Sequence, residues 1–220
     1  MAEEQVFSAV KDKGLVEKRR KQMIKGALNL FKEKGFHRTT TREIAKESGF
    51  SIGTLYEYIR TKEDVLFLVC DSIYDQVQVR LEKVINVHGS PLEKLVSVTE
   101  AYFRLMDEMQ EEIVIMYQEV KSLKKDTKEY VLQKEREMVQ MLEKVIVTCL
   151  PEESISSKDA MLMANNIFIQ GQMWSFRRWM LQRQFTLEEY IERQTQFILR
   201  SLSIGAPKKG EKKKHGSDDL

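Results

Sequence analysis

The sequence predicts an all-α protein of about nine helices. Three observations support this fold class. The 220-residue chain has only three prolines and ten glycines, and helix-favouring residues such as Leu, Glu and Lys are frequent. Apolar residues recur at helical spacing in one segment after another. The gaps between these segments carry the residues that start and stop helices. The chain has no internal repeat, and its length allows one or two domains.

The composition is typical of a globular protein without a membrane segment. Hydrophobic residues make up 42% of the chain, and no apolar run approaches the roughly 20 residues that a membrane-spanning helix needs. Residues 1–10 are acidic and short of apolar length, so we expect no signal peptide there. We expect Cys70 and Cys149 to be reduced core residues of a cytoplasmic protein, with a disulfide or a metal site as the lesser alternative.

The charge of the chain is distributed unevenly. Residues 1–66 hold 14 lysines and arginines against 10 acidic residues, whereas residues 67–206 hold 17 against 21. A basic head on an acidic body indicates that the head meets a polyanion. The tail, residues 205–220, is poor in apolar residues and is expected to be disordered.

The first two long helices are marked by apolar stripes. One is expected over about residues 17–34, where a stripe begins at Ile24 and repeats at i+3, i+4 and i+7. Gly35 ends this helix with a left-handed conformation. The second is expected over about residues 62–86.

Caps and breaks delimit the later helices. Ser90 can cap one of them, with Pro91 at the first position and Glu93 completing a capping box. A bend is expected near residues 109–113, and Pro151 stops a further helix. These later helices are expected over about residues 126–149, 157–182 and 187–202.

Between the two long helices, residues 39–66 read TTTREIAKESGFSIGTLYEYIRTKEDVL. Thr40 can cap a short helix, and Gly49 can take the left-handed position of a tight turn. Ser51 can then cap a second short helix, Ile52–Tyr58. Two short helices joined by a glycine-containing turn form a helix-turn-helix, whose second helix enters the major groove of DNA.

The second short helix contains an unexpected glycine. Gly53 costs a helix about 1 kcal/mol relative to alanine, and a backbone that approaches DNA bases closely would explain that cost. Thr54 and Tyr56 supply hydroxyls that bond phosphates. Lys62 stands at the start of the next helix, where exposed amides also favour a phosphate. A helical hairpin with surface hydroxyls remains the alternative interpretation of these residues.

Residues 35–66, GFHRTTTREIAKESGFSIGTLYEYIRTKEDVL, closely resemble the DNA-binding domain of TetR-type transcriptional repressors. The resemblance implies a DNA-binding domain over residues 1–61 and a ligand-binding and dimerisation domain over residues 62–204. It also implies a homodimer that binds a near-palindromic operator in double-stranded DNA. The implied DNA-binding residues are Thr40, Thr41, Arg42, Ser51, Ile52, Gly53, Thr54, Tyr56, Tyr58 and Lys62.

The resemblance assigns separate roles within this set. The start of the first motif helix, including Arg42, should touch phosphate. Residues 51–54 should face the groove, and Tyr58 should reach a base or the DNA backbone. Tyr56 and Lys62 should clamp phosphates.

The same resemblance implies a four-helix bundle between two subunits. In this family the last two helices form it, and here they fall within residues 157–203. A stripe of small and aromatic residues there suits close helix packing. The expected interface residues are Ala164, Phe168, Gly171, Ser175, Ile191 and Ile198.

The middle helices of the family enclose a ligand cavity. This chain is rich in methionine and aromatic residues in that region, and methionine adapts to varied apolar shapes. A plain hydrophobic core is the competing interpretation. The expected ligand-binding residues are Tyr102, Phe103, Met106, Met109, Tyr117, Met141, Met163, Ile167, Gln170, Trp174, Arg177 and Arg178.

Residues 174–202, WSFRRWMLQRQFTLEEYIERQTQFILRSL, are similar to the C-terminal pattern of members that respond to acyl-CoA thioesters. An apolar pocket suits an acyl tail, while Arg177, Arg178 or Arg104 could meet the phosphates of CoA. A drug-like or aromatic effector is the next alternative. The arginine pair could also form salt bridges between subunits.

The sequence lacks the residue patterns of an enzyme. His37, His88 and His215 are scattered, no serine or cysteine lies in a nucleophile motif, and no glycine loop for phosphate appears. We therefore predict no catalytic site, no metal site and no cofactor. An architectural DNA-binding protein without a small effector is the second rival to a repressor.

Overall fold

The computed structural model describes residues 6–150 and 155–203. Within these residues the chain forms ten α-helices and one short 3₁₀ turn and no strand, which confirms the all-α fold. None of the described helices is long and apolar enough to cross a membrane. The expected helix stop at Pro151 and the expected disordered tail over residues 205–220 lie outside the described residues.

The chain begins with a long helix, which is followed by two short helices and then by mostly longer ones. A 3₁₀ turn, Val120–Ser122, precedes the seventh helix. The helices are α1 (Lys13–Lys34), α2 (Thr41–Glu47), α3 (Ile52–Tyr56), α4 (Lys62–Ile85), α5 (Pro91–Glu108), α6 (Gln110–Glu119), α7 (Lys125–Cys149), α8 (Ser157–Phe176), α9 (Arg178–Gln184) and α10 (Leu187–Ser203).

The described residues contain one helix more than the roughly nine expected. The helix expected over residues 157–182 is interrupted at Arg177, where φ is −109° and ψ is 23°. The chain resumes as α9 at Arg178. At the other end of the chain, α1 begins earlier than expected because the Asp12 carboxylate accepts a hydrogen bond from the Leu15 amide and caps the helix.

The helix caps and glycine turns that the sequence predicted are present in the structure. Capping boxes close at Thr40, Ser90 and Thr186, each with a glutamate three residues on. Gly35 and Gly49 have φ values of 82° and 75° and let the chain leave α1 and α2. These elements are therefore fixed by interactions between near neighbours in the sequence.

α4 connects the N-terminal helices to the rest of the molecule. α1 packs against α2 and α4, and α4 also packs against α5 and α7. α8 lies on α5 and α7, while α10 lies on α5. The buried hydrophobic residues form one cluster that runs from α1 through α10, so the N-terminal helices share a core with the body.

Candidate nucleic-acid interface

α2 and α3 form the predicted helix-turn-helix. Their inner faces bury Ile44, Ala45 and Leu55. The turn between them is closed by the Phe50 amide, which donates to the Ala45 carbonyl oxygen at 2.8 Å. α3 is the outer helix of the pair and leaves part of its surface uncovered.

Gly26 on α1 supports this motif, a role that was not predicted from the sequence. A Cβ at Gly26 on α1 would lie only 2.7 Å from the Ser48 Oγ and 3.2 Å from the Ser48 amide nitrogen. The absence of a side chain therefore lets α1 approach the end of α2. An isolated glycine inside a helical pattern was the only signal in the sequence for this contact.

The exposed face of α3 is small and polar. Ser51 and Gly53 are exposed, and Thr54 is partly exposed. The Ser51 Oγ accepts a hydrogen bond from the Thr54 amide at 3.0 Å and lies 2.9 Å from the Thr54 hydroxyl. A Cβ at Gly53 would meet only the Ser51 Oγ, at 3.7 Å, which is an ordinary contact. No neighbour within the described residues therefore requires a glycine at this position.

Tyr56 and the start of α2 also belong to this face. The Tyr56 side chain is half exposed, and its hydroxyl lies 3.2 Å from the Thr41 hydroxyl. Arg42 is exposed one residue further on. Thr40 is exposed as well, although its hydroxyl serves the α2 cap by bonding Glu43. Hydrogen bonds from Lys34 first, and then from Thr40, hold the pKa of the Glu43 carboxyl down to about 2. Glu43 therefore stays ionised in the capping box.

Tyr58 and Ile52, which were predicted to contact DNA, are less exposed than that prediction requires. The second motif helix ends at Tyr56 rather than at Tyr58, and the Tyr58 side chain is only 2% exposed. The expectation that Tyr58 reaches DNA is therefore wrong. The chain turns inward here because Leu55, Tyr58 and Ile59 all bury their side chains in the core. Ile52 is partly buried against the same core and offers only part of its side chain outward.

Lys62 has a structural role that the sequence did not indicate. Its amine donates to the carbonyl oxygens of Phe36 at 2.9 Å and His37 at 3.3 Å. It also lies 4.3 Å from the centre of the Phe36 ring, where cation–π attraction applies. Lys62 thus holds the loop between α1 and α2. Its contact with phosphate stays a prediction.

Ion pairs join this N-terminal region to the body. The Lys32 amine lies 2.7 Å from the Glu112 carboxylate on α6, and the Lys124 amine lies 2.8 Å from the Asp64 carboxylate on α4. Burial would raise the pKa of Asp64, but Lys124 and two backbone amides outweigh burial and lower it. Asp64 is therefore an ionised link between the start of α4 and the start of α7.

The predicted effector cavity is closed in this structure. Its volume is about 10 Å³, which is scarcely room for one water molecule. Of the expected ligand residues only Tyr102 and Met106 line it. Phe103, Met109, Ile167 and Trp174 are buried elsewhere in the core. The full lining is Ile73, Tyr74, Val77, Tyr102, Met106, Ile113, Met116, Met138, Phe168 and Gln172.

Hydrogen bonds fix the phenol groups of this lining. The Tyr102 hydroxyl donates to the Phe168 carbonyl oxygen at 3.0 Å, and the Tyr74 hydroxyl donates to the Glu135 carboxylate at 3.0 Å. Burial, followed by the nearby Glu135 charge, raises the pKa of both phenols, so both stay neutral. Tyr74 and Gln172 were not predicted as lining residues, because apolar periodicity does not show which core positions border a cavity.

The remaining expected ligand residues do not meet at the cavity. Tyr117 is 65% exposed and packs on Phe176 outside it, and Arg177 and Arg178 lie exposed at the α8–α9 junction. Met163 and Gln170 face a groove between α8 and α10, while Met141 lines an outer groove between α4 and α7. Arg104, the other candidate for CoA phosphates, pairs with Glu188 on α10. Grouping these residues in one pocket is therefore wrong for this structure.

The expected dimer stripe faces into the chain's own core. A Cβ at Gly171 would lie 2.4 Å from the Tyr102 ring, and the Ser175 hydroxyl donates to the Met106 carbonyl oxygen at 2.8 Å. Phe168 stacks on Tyr102, so α8 presents this stripe to α5 of the same subunit. All six expected interface residues are buried in the single chain: Ala164, Phe168, Gly171, Ser175, Ile191 and Ile198.

No group of three or more His, Cys, Asp or Glu side chains in residues 6–150 and 155–203 is arranged to hold a metal ion. Both cysteines are free thiols, and burial raises the pKa of Cys70 to about 12. The described residues thus contain a helix-turn-helix whose second helix leaves Ser51 and Gly53 exposed.

Comparison with known proteins identifies the family. The family model described as "Bacterial regulatory proteins, tetR family" matches residues 23–69, and the model "Tetracyclin repressor-like, C-terminal domain" matches residues 88–202. The transcriptional regulator HbdR of Aromatoleum sp. (strain CIB) is 32% identical over 86% of this chain and 82% of HbdR. The chain therefore belongs to the TetR family of transcriptional regulators, whose members are not enzymes.

A further relative and a solved structure are also similar to this chain. The "Fatty acid metabolism regulator protein" of Bacillus subtilis (strain 168) is 33% identical over 39% of this chain and 44% of that protein. The crystal structure of AibR in complex with isovaleryl coenzyme A and operator DNA superposes with a TM-score of 0.67. It covers 81% of this chain and 97% of that one, and at 19% identity it shows the shared fold alone.

Proposed function

We propose that this TetR-family regulator is a repressor that binds a near-palindromic DNA operator as a homodimer. In this proposal α3 lies in the major groove, with Ser51, Gly53 and Thr54 towards the bases. Arg42, Tyr56 and the start of α4 meet the phosphates. Such a regulator works in the cytoplasm, where its DNA is. The observation that carries the proposal is the exposed glycine of α3, which no described neighbour requires.

Selection from a random DNA library tests operator binding. Duplexes of about 30 base pairs are long enough for two half-sites one helical turn apart. We expect the protein to enrich one inverted repeat. Enrichment of unrelated sequences with equal affinity would instead favour the architectural DNA-binding protein.

We further propose that α8 and α10 form the dimer interface through the face that the single chain leaves open. On α8, Leu162, Asn166, Ile169 and Met173 recur at helical spacing and are exposed or half-exposed. On α10, Phe197 is 58% exposed. An open groove of about 350 Å³ runs between the two helices. Exposed apolar groups on adjacent helices are typical of a surface that a partner covers.

The effector we propose is an acyl-CoA or a related fatty-acid derivative. The closed cavity is lined by methionines, aromatic rings and aliphatic side chains, and methionine side chains can rearrange around an apolar chain. The fatty-acid regulator of Bacillus subtilis and the isovaleryl-CoA complex of AibR support this ligand class. In this proposal the acyl chain separates α5 from α8 by displacing the stacked rings of Tyr102 and Phe168.

Titration of the protein–operator complex with acyl-CoA thioesters of increasing chain length tests the effector. Each buried methylene contributes about 0.8 kcal/mol, so release of DNA should improve steadily with chain length until the space opened between α5 and α8 is filled. Free CoA is the control and should release little. Release by aromatic compounds but not by acyl-CoA would favour the alternative effector class, and no release by either would favour an effector-independent protein.

A further inference from the structure

The residues that precede α1 lie against the end of the proposed reading helix. We define residues 6–12 as the N-terminal strap. The Ala9 amide donates to the Glu57 carbonyl oxygen at 2.7 Å, and the Ser8 hydroxyl lies 3.5 Å from the same oxygen. Glu57 is the C-terminal cap of α3. The strap thus supplies a hydrogen-bond donor to the end of a helix that lies far away in the sequence.

Both ends of the N-terminal strap are anchored. Val6 is only 3% exposed and belongs to the hydrophobic core. The guanidinium of Arg20, itself buried on α1, donates to the Val6 carbonyl oxygen at 2.7 Å. Asp12, at the other end, caps α1. Between these anchors the Ser8 hydroxyl accepts from the Val10 amide at 3.2 Å, so the strap also bonds within itself.

α3 needs external support at this end. It has five residues, far fewer than a helix needs to be stable alone in water. The last carbonyl groups of any helix lack partners within the helix and require donors from elsewhere. Just beyond α3, the Arg60 guanidinium lies 4.2 Å from the centre of the Phe7 ring. The strap therefore contacts the end of α3 and the turn that leads to α4.

We propose that the N-terminal strap positions α3 for DNA recognition. Ala9 and Phe7 are positioning residues that fix the end of α3 through Glu57 and Arg60, and Val6 and Arg20 fix the strap to α1. This inference rests on the proposed operator binding, to which it adds an element outside the helix-turn-helix. The competing explanation is that the strap region contacts DNA directly through Lys11 and Lys13, which are both exposed.

Hydrogen exchange without DNA tests the mechanical part of the proposal. We compare Ala9→Pro, which removes the amide donor, with Ala9→Ser, which keeps it at an exposed position. We expect the amides of Tyr58 and Ile59 to exchange about fivefold faster in Ala9→Pro, since one hydrogen bond is lost. The Ser48 amide at the end of α2 and all amides in Ala9→Ser should exchange as in the wild type. Unchanged exchange in Ala9→Pro would overturn the proposal.

Operator binding tests the functional part, with the duplex selected by the wild-type protein as the probe. A chain lacking residues 2–10 loses the strap contacts, while a chain lacking residues 2–5 keeps them and serves as the control. We expect about tenfold weaker binding for the longer deletion, from the lost hydrogen bond and the lost burial of Val6, and wild-type binding for the control.

Salt dependence separates positioning from direct contact. We expect the longer deletion to keep the wild-type slope of log affinity against log salt, because both lysines remain. The double variant Lys11→Ala/Lys13→Ala should bind like the wild type. A slope reduced by about two in that double variant, or wild-type affinity in the longer deletion, would overturn the proposal. If the wild-type protein selects no duplex, operator binding itself fails, and the exchange result still decides whether the strap holds α3.

Discussion

Gly53 destabilises α3 at a position where the structure has room for a side chain. Among the described residues, an added Cβ would contact the Ser51 Oγ at 3.7 Å beyond its own helix backbone, and alanine would favour the helix by about 1 kcal/mol. Gly171 is the opposite case, since an added Cβ would lie 2.4 Å from Tyr102. Packing within the chain explains the second glycine, whereas for the first we propose close approach of the DNA.

Substitution of Gly53 should therefore separate stability from DNA binding. We expect Gly53→Ala to raise the free energy of unfolding by up to about 1 kcal/mol while weakening operator binding. Gly53→Val, whose branched side chain stands where DNA must approach, should abolish binding at unchanged helix content. Urea unfolding, circular dichroism and fluorescence anisotropy with the selected duplex measure these effects. Wild-type affinity in Gly53→Val would refute a groove-facing Gly53.

Substitution of Gly171 should act on stability instead. We expect the free energy of unfolding of Gly171→Ala to lie about 1–3 kcal/mol below that of Gly53→Ala, because both substitutions gain helix propensity but only the methyl group at position 171 overpacks α8 against Tyr102. Thermal or urea unfolding measures the change, and Gly53→Ala is the matched control because the same methyl group has space there. Equal stability of Gly171→Ala and Gly53→Ala would mean that α8 and α5 are not as close as the structure describes.

Local interactions explain which elements the sequence predicted well. The start of α2, the turn at Gly49 and the start of α5 depend on residues within a few positions of each other, and each formed as expected. The end of α3 did not, because Tyr58 is drawn inward by a core that α1 and α4 also build. Such tertiary packing leaves no signal at short range in the sequence.

α8 shows a second limit of sequence patterns. The helix is apolar on nearly all sides, with Phe168 buried and Leu162 and Ile169 exposed, so periodicity did not indicate which side faces its own core. The small residues at Ala164 and Gly171 suit any close helix contact. Gly171 packs on α5 and Ala164 is buried in the same chain, whereas the resemblance had assigned both to the interface with the partner subunit. The closed cavity was likewise outside the reach of the sequence, because its volume depends on how the rings of several helices pack.

The ion pair between Asp64 on α4 and Lys124 at the start of α7 can be tested by the pH dependence of stability. The pKa of Asp64 is lowered in the folded protein, so its carboxylate contributes stability above the ordinary Asp pKa of about 3.9. This contribution is lost as pH falls through the folded pKa. We expect Asp64→Asn to be less stable than the wild type at neutral pH, with the difference shrinking as the pH falls below about 4.

Urea unfolding at several pH values measures this effect. Asparagine keeps an oxygen that can cap α4, so the comparison removes mainly the charge. Glu17→Gln is the control, since Glu17 pairs with Lys21 on the exposed surface of α1 and should change stability less. A pH-independent difference for Asp64→Asn would show that the pKa of Asp64 is not lowered in the folded protein.

At the scale of the whole molecule, the proposed repressor needs two reading helices at a fixed separation. One core joins the helix-turn-helix to the body, and ion pairs from α1 and α4 to α6 and α7 reinforce that junction. An effector that separates α5 from α8 would therefore act on the N-terminal helices through α4. A dimer through α8 and α10 would convert that movement into a change in the distance between the two copies of α3.

Introducing charged side chains on α8 and α10 tests whether these helices form the dimer interface. We expect Leu162→Asp/Phe197→Asp to be monomeric, because each carboxylate would be buried without a partner at the proposed interface. Val79→Asp, at an exposed apolar position on α4, is the control and should leave the mass unchanged. Light scattering after gel filtration and native mass spectrometry measure the mass. A dimeric double variant would place the interface elsewhere on the subunit.

Amide hydrogen exchange with and without the selected duplex is the most direct test that α3 reads DNA. As the first residues of α3, Ile52 and Gly53 have amides without partners inside the helix, so both should exchange rapidly in the free protein. On DNA we expect them to become protected together with the start of α4, while amides of the outward face of α8 do not change. Protection confined to other surfaces, with Ile52 and Gly53 exchanging as in the free protein, would contradict the account.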